Sequence, residues 1–186
     1  SNGNIITNSS NIKISISGDC ENCIYIGSSD GIWKSSDLGD NFELISGTYI
    51  DEISNYGAFA VSDVNSDVIL YGDIDTHMSF DGGANFEKTT FWSEGNSNYD
   101  QTGTYVHADL RGAVCVDGVF WVNTDGLLCK SEDNGVTWEI FEGQSIRENY
   151  NLGVSQSNHY RTISGSQDNG TSIKTENSWI EFYGAD

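Results

Sequence analysis

His107 and Asp109 stand two residues apart in Val106-His107-Ala108-Asp109, a spacing that puts both side chains on one face at the start of an inner strand. An imidazole among carboxylates can move protons, orient a polar ligand or help to hold a cation. Asp125 lies in Thr124-Asp125-Gly126, and Gln167 and Asp168 lie in Gly165-Ser166-Gln167-Asp168-Asn169-Gly170. Asp and Asn beside Gly are turn chemistry, so these three side chains are expected at turn tips. His107, Asp109, Asp125, Gln167 and Asp168 are therefore read as one polar ligand-binding pocket, edged by Trp92 or Tyr99 from the aromatic-rich run Thr89 to Tyr105. Aromatic rings there stack on sugar rings or peptide side chains, or else anchor the loop to the core. Cleavage of a glycosidic bond would fall to Asp109 and Asp168, provided that their carboxyls stood about 5 to 9.5 Å apart. The alternative for the whole group is a structural hydrogen-bond network.

The elements that must carry these residues follow from an internal repeat. Ser35-Ser36-Asp37-Leu38-Gly39-Asp40-Asn41-Phe42, Ser79-Phe80-Asp81-Gly82-Gly83-Ala84-Asn85-Phe86 and Ser131-Glu132-Asp133-Asn134-Gly135-Val136-Thr137-Trp138 share the pattern Ser-x-Asp-x-Gly-x-(Asn/Thr)-aromatic. A degraded fourth copy is Thr175-Glu176-Asn177 with Trp179. The copies are spaced 44, 52 and 44 residues (79 − 35, 131 − 79 and 175 − 131), a period that suits four-stranded blades. Short β-prone runs separated by Gly, Asp, Asn and Ser supply the strands, as in Ile12 to Ser17, Cys23 to Gly27, Gly31 to Ser35 and Asn41 to Ile45. No stretch shows helical periodicity. The expected fold is all-β, a propeller of four-stranded antiparallel blades with about four present, approximately at 8–47, 55–92, 106–142 and 150–183, in a single segment 1–186.

These repeats resemble the BNR or Asp-box family found in sialidases, sortilin-type receptors, xyloglucanase-type glycosidases and bacterial surface proteins, and nearly the whole chain takes part. The His-x-Asp segment, the Asp-Gly turn and the Gln-Asp-Asn-Gly turn look most like bacterial secreted Asp-box propellers, with Arg111 where a second His commonly stands. The resemblance implies that the box is the turn between the third and fourth strands of each blade. Asp37, Asp81 and Asp133 are then structural, their carboxylates accepting turn N–H groups while Gly takes a positive φ and the aromatic packs between blades. It also places Asp30, Asp75, Asp125 and Asp168 on the opposite rim, which usually hosts binding sites. A sialidase reading fails on its motifs: three arginines only (Arg111, Arg147 and Arg161) and no Arg-Ile-Pro segment.

Charge and cysteines narrow the partners. With 28 acidic against 8 basic residues, a net charge of -20 repels nucleic acid and anionic lipid. Calcium is the cofactor that such a surface would favour. No run reaches the about 18 apolar residues of a membrane span, and Ser1-Asn2-Gly3-Asn4 has no signal-peptide pattern. Cys20-Glu21-Asn22-Cys23 reads as a hairpin turn closed by a disulfide, which suits an oxidising compartment. Cys115 and Cys129 fall on the outer two of three adjacent strands, about 9.5 Å apart, too far to bond. The expected protein is a secreted or cell-surface module that recognises polysaccharide or protein and is not catalytic on its own, with its remaining blades on further sequence or another chain. The alternatives are a xyloglucanase-type hydrolase and a structural segment of a surface protein. Four blades with uncovered ends leave strand edges that a closed ring would protect.

Overall fold

The computed structural model describes residues 11–47, 57–92, 103–141, 149–158, 160–166 and 170–183. Among them there are sixteen strands and no helix, in four antiparallel sheets of four strands each. The first sheet holds β1 (Lys13–Ile16), β2 (Ile24–Ser28), β3 (Gly31–Ser35) and β4 (Glu43–Ser46), and the second β5 (Ala58–Val61), β6 (Ile69–Gly72), β7 (Thr76–Ser79) and β8 (Glu87–Lys88). The third holds β9 (Leu110–Val116), β10 (Val119–Thr124), β11 (Leu128–Ser131) and β12 (Glu139–Ile140), and the fourth β13 (Asn149–Val154), β14 (Thr162–Ser166), β15 (Gly170–Lys174) and β16 (Trp179–Tyr183). Strands pair in chain order within every sheet. The chain divides into two compact units, 1–142 with the first three sheets and 143–186 with the fourth.

In the first unit the alternation of strand side chains feeds two cores, one at each seam between successive sheets. Tyr25 and Ile32 of the first sheet pack on Phe59, Val61, Ile69 and Tyr71 of the second. Ala58, Ala60, Leu70 and Met78 leave the other face of the second sheet to pack on Phe120, Val122, Cys129 and Trp138 of the third. Gly27 lets the sheets close, since a Cβ there would stand 2.9 Å from the Phe59 ring.

Each Ser-x-Asp-x-Gly turn joins a third strand to a fourth. The Ser79 hydroxyl, fully buried, donates to Asp81 (2.8 Å) and accepts the Gly83 N–H (2.9 Å), while Asp81 accepts the N–H and the side-chain amide of Asn85 at 2.9 and 2.7 Å. Ser35, Asp37 and Asn41 repeat the pattern, as do Ser131, Asp133 and Thr137. Gly83 (φ 94°) is left-handed, and so is the residue before each of these glycines: Leu38, Gly82 and Asn134. Phe86 sits edge-on to Tyr71, 4.8 Å between centroids, at the first seam, and Trp138 is buried at the second. In the fourth sheet the corresponding turn is closed instead by Thr175 N–H to the Ser178 carbonyl (2.8 Å).

A second set of aspartates, not singled out from the sequence, ties neighbouring sheets together. Asp19, after β1, accepts the Ser66 N–H of the second sheet (2.9 Å). Asp63, after β5, accepts the N–H groups of Asp117 (2.7 Å) and Gly118 (2.9 Å) in the β9–β10 hairpin, and the Cys115 thiol at 3.4 Å. Cys20 and Cys23 form the expected disulfide, with Cα atoms 5.3 Å apart. Cys115 and Cys129 are free and buried, on the two strands that flank β10. Burial pushes the Cys115 thiol up and the Cys129 thiol to about 12.

Hydrogen bonds hold five carboxyls below the usual carboxylate range. The donors are Ser17 and Ser66 for Asp19, Asn41 for Asp37, Gly118 and Asp117 for Asp63, and Asn85 for Asp81. Burial works against Asp133, but Thr137 and Ser131 bring it down as well. A lowered folded value means that the unfolded chain binds protons first, so this stability is complete above about pH 4 and is lost as pH falls through the folded values. Equilibrium unfolding monitored from about pH 7 to 2 should therefore show stability dropping only on the acid side of about pH 4. Asp63→Asn should make that drop shallower, and an unchanged slope would show that the seam does not depend on this carboxylate.

Candidate functional site

In the first unit, the rim opposite the Ser-x-Asp-x-Gly turns carries the turns between second and third strands, which join β2 to β3, β6 to β7 and β10 to β11. Its aspartates differ in environment. Asp30 is exposed, whereas Asp75 and Asp125 are buried at 5% exposure each. Asp75 is occupied in holding the chain that leaves the second sheet: its Oδ1 accepts the Trp92 N–H (2.9 Å) and the Thr90 hydroxyl (3.3 Å), and its Oδ2 meets the Lys88 ammonium at 2.6 Å. Beside it, His77 stacks on Tyr71 with centroids 4.9 Å apart, and burial with the nearby Lys88 charge pushes this imidazole below its ordinary range.

Asp125 is placed differently. The turn that carries it is closed by the Thr124 hydroxyl, which accepts the N–H groups of Gly126 (3.2 Å) and Leu127 (2.9 Å), so the carboxylate is not needed to cap its own turn. Instead it points at the segment leading into β9. His107 Nδ1 lies 3.3 Å from Oδ1 and Arg111 Nη2 lies 3.5 Å from Oδ2. The Asp125 side chain is 1% exposed, and those of His107 and Arg111 are 20% and 25% exposed. Oδ1 is buried and accepts no well-aligned hydrogen bond. One sequestered negative charge thus holds two partly exposed nitrogen side chains at the rim.

Three further contacts fix the backbone around this group. Leu110 N–H donates to the Asp73 carbonyl (2.6 Å), Phe91 N–H to the Thr104 carbonyl (3.1 Å) and Trp138 N–H to the Gly103 carbonyl (2.6 Å). The Phe91 to Thr104 bond staples the two ends of the long connection together. Trp92, 38% exposed, follows one residue after one end of the staple, and His107 stands three residues after the other.

Of the residues expected in the pocket, the structure joins His107 to Asp125 and adds Arg111. His107 and Asp109 do not share a strand face: β9 begins at Leu110, and Asp109 has a left-handed backbone (φ 60°), which breaks the two-residue alternation that spacing alone suggests. Tyr99, Gln167 and Asp168 lie outside the described residues. The signal for Arg111 was its place four residues after His107, where a second His was the commoner pattern. Among the described residues no group of three or more His, Cys, Asp or Glu side chains is placed to hold a metal ion. In the second unit, Gly153, Val154, Arg161, Thr162, Ile163 and Ile173 line an open depression of about 330 Å³ that contains no carboxylate.

No protein-family model matches the chain, and no curated protein is similar to it. Among solved structures it is similar to the GH74 enzyme of Niastella koreensis, with 18% identity, a TM-score of 0.54, and coverage of 90% of this chain and 23% of that one. The GH74 xyloglucanase of Xanthomonas campestris shares 17% identity at a TM-score of 0.52, over 94% of this chain and 31% of that chain. An ancestral GH74 enzyme shares 18% at 0.50, over 96% and 25%. The fold is a partial β-propeller of four blades. The chain spans between 23% and 31% of the length of these structures, and at such identities the likeness shows the fold alone.

The Asp125 cluster makes a stability prediction of its own. Asp125→Ala leaves two nitrogen side chains without their buried acceptor and should lower the unfolding free energy by about 1–3 kcal/mol, and Asp125→Asn, which keeps the shape, should cost less. Urea unfolding of both variants measures this; equal stability of Asp125→Ala and the parent would show that the carboxylate does not organise the rim.

Proposed function

We propose that this chain is part of an Asp-box propeller, secreted or displayed at a cell surface, that recognises a polysaccharide or protein ligand through the rim opposite its Ser-x-Asp-x-Gly turns and is not catalytic on its own. The observation that carries the reading is the contrast between the two rims. On one, Asp37, Asp81 and Asp133 are each consumed by their own turn. On the other, Asp125 is free of its turn and holds His107 and Arg111 where their side chains remain partly open. Polar groups fixed from beneath and open above suit reversible binding, because little rotamer entropy is left to lose on contact.

The terminal faces favour the companion proposal that further blades complete the propeller. Ile14 and Ile16 occupy in β1 the places that Phe59 and Val61 occupy in β5, yet they are 67% and 68% exposed, where Phe59 and Val61 are buried against the first blade. Apolar side chains repeated at blade-packing positions call for a covering blade, on further sequence or another polypeptide.

A polysaccharide and glycan-array screen, run with and without calcium and followed by analysis for new reducing ends, tests the reading. The expected result is retention without cleavage, weakened in Arg111→Lys and His107→Gln, two changes that leave Asp125 in place. New reducing ends would replace it with a hydrolase, and retention unaffected by either substitution would move the site off this rim.

A further inference from the structure

The imidazole of His107 has one nitrogen committed. Nδ1 faces the Ala108 carbonyl oxygen at 3.0 Å and the Asp125 carboxylate at 3.3 Å. Neither of these oxygens carries a hydrogen to give, so Nδ1 must be the nitrogen that bears one. In the neutral ring this leaves Nε2 as a bare acceptor. Nε2 has no hydrogen-bond partner among the described residues, and the His107 side chain is 20% exposed.

We propose that His107 is the hydrogen-bond acceptor of the rim site, taking an O–H from a hydroxyl-bearing ligand at Nε2, and that proton uptake by the ring switches this contact off. The inference rests on the rim reading above and assigns the chemistry of that same site. Protonation puts a hydrogen on Nε2 and turns an acceptor into a donor. Of the charged groups around the ring, Asp125, from the β10–β11 turn, faces Nδ1 directly. Asp109 lies two residues along the same segment, and Asp73 belongs to the blade-two turn whose carbonyl receives Leu110. Arg111 opposes them from β9, although its guanidinium is directed at the other oxygen of Asp125. Asp125 is thus a positioning residue that sets which nitrogen the ligand meets, and His107 is the specificity-determining contact.

The test uses the full chain with xyloglucan, arabinoxylan and galactomannan as probes in affinity gel electrophoresis at about pH 8 and about pH 5. This interval is the one in which imidazoles take up a proton, and it lies above the acid loss of stability described for the carboxylates. The expected result is binding to at least one probe that weakens about fivefold at the lower pH, the scale of one hydrogen bond. His107→Gln, which offers a side-chain acceptor that does not titrate, should bind with no such pH dependence. Long-range imidazole ¹⁵N spectra of the free protein at the higher pH should show the hydrogen on Nδ1 of His107. Binding with the same pH profile in parent and His107→Gln, or a hydrogen on Nε2, would overturn the inference and leave the rim reading standing. Failure of all three polysaccharides to bind at either pH would overturn the inference and leave the rim reading with a protein ligand.

Discussion

A four-stranded sheet that carries apolar side chains on both faces cannot stand in water by itself, and everything else in this chain depends on that constraint. Alternation sends Phe59, Val61 and Tyr71 to one side of the second blade and Ala60, Leu70 and Met78 to the other, so the blade needs a neighbour on each. Face-to-face stacking supplies the neighbours, and the fit is close where side chains are removed to allow it, as at Gly27 against Phe59 or Gly135 against Met78. Ile14, Ile16 and Leu44 of the first blade and Val114 and Val116 of the third are more than half exposed.

Stacked blades give the first unit two rims with different work. On the rim of the Ser-x-Asp-x-Gly turns, five aspartates are spent on structure: Asp37, Asp81 and Asp133 within their turns, Asp19 and Asp63 across the seams. On the opposite rim the second-to-third strand turns have diverged. Asp75 has been recruited to hold the outgoing chain at Thr90 and Trp92, while Asp125 has been released from its turn by Thr124 and turned toward His107 and Arg111.

The fold was legible because its signal is repeated. Three boxes at blade spacing locate the third and fourth strands, and the turn chemistry of Ser, Asp and Gly leaves little choice of conformation there. The disulfide and the separation of Cys115 from Cys129 followed from the same strand placement. The seam contacts of Asp19 and Asp63 were not legible, since they depend on which loop of the next blade comes to rest beside them. His107 and Asp125 could be named as members of one site, but the strand alternation assumed for Asp109 failed at a single left-handed residue. Arg111 was noticed only as a departure from a commoner pattern; that it would meet Asp125 depended on the β9–β10 pairing, which sets Leu110 against Thr124 across an irregularity in register.

The central claim is that ligand meets the rim of Asp125 and not the rim of the Ser-x-Asp-x-Gly turns. Amide hydrogen exchange followed by mass spectrometry, with and without a saturating polysaccharide that the chain retains, tests it most directly. The account predicts added protection in peptides covering 103–112 and 123–128, with 35–42, 79–86 and 131–138 unchanged. Protection concentrated in the latter three, with none at 103–112, would contradict it.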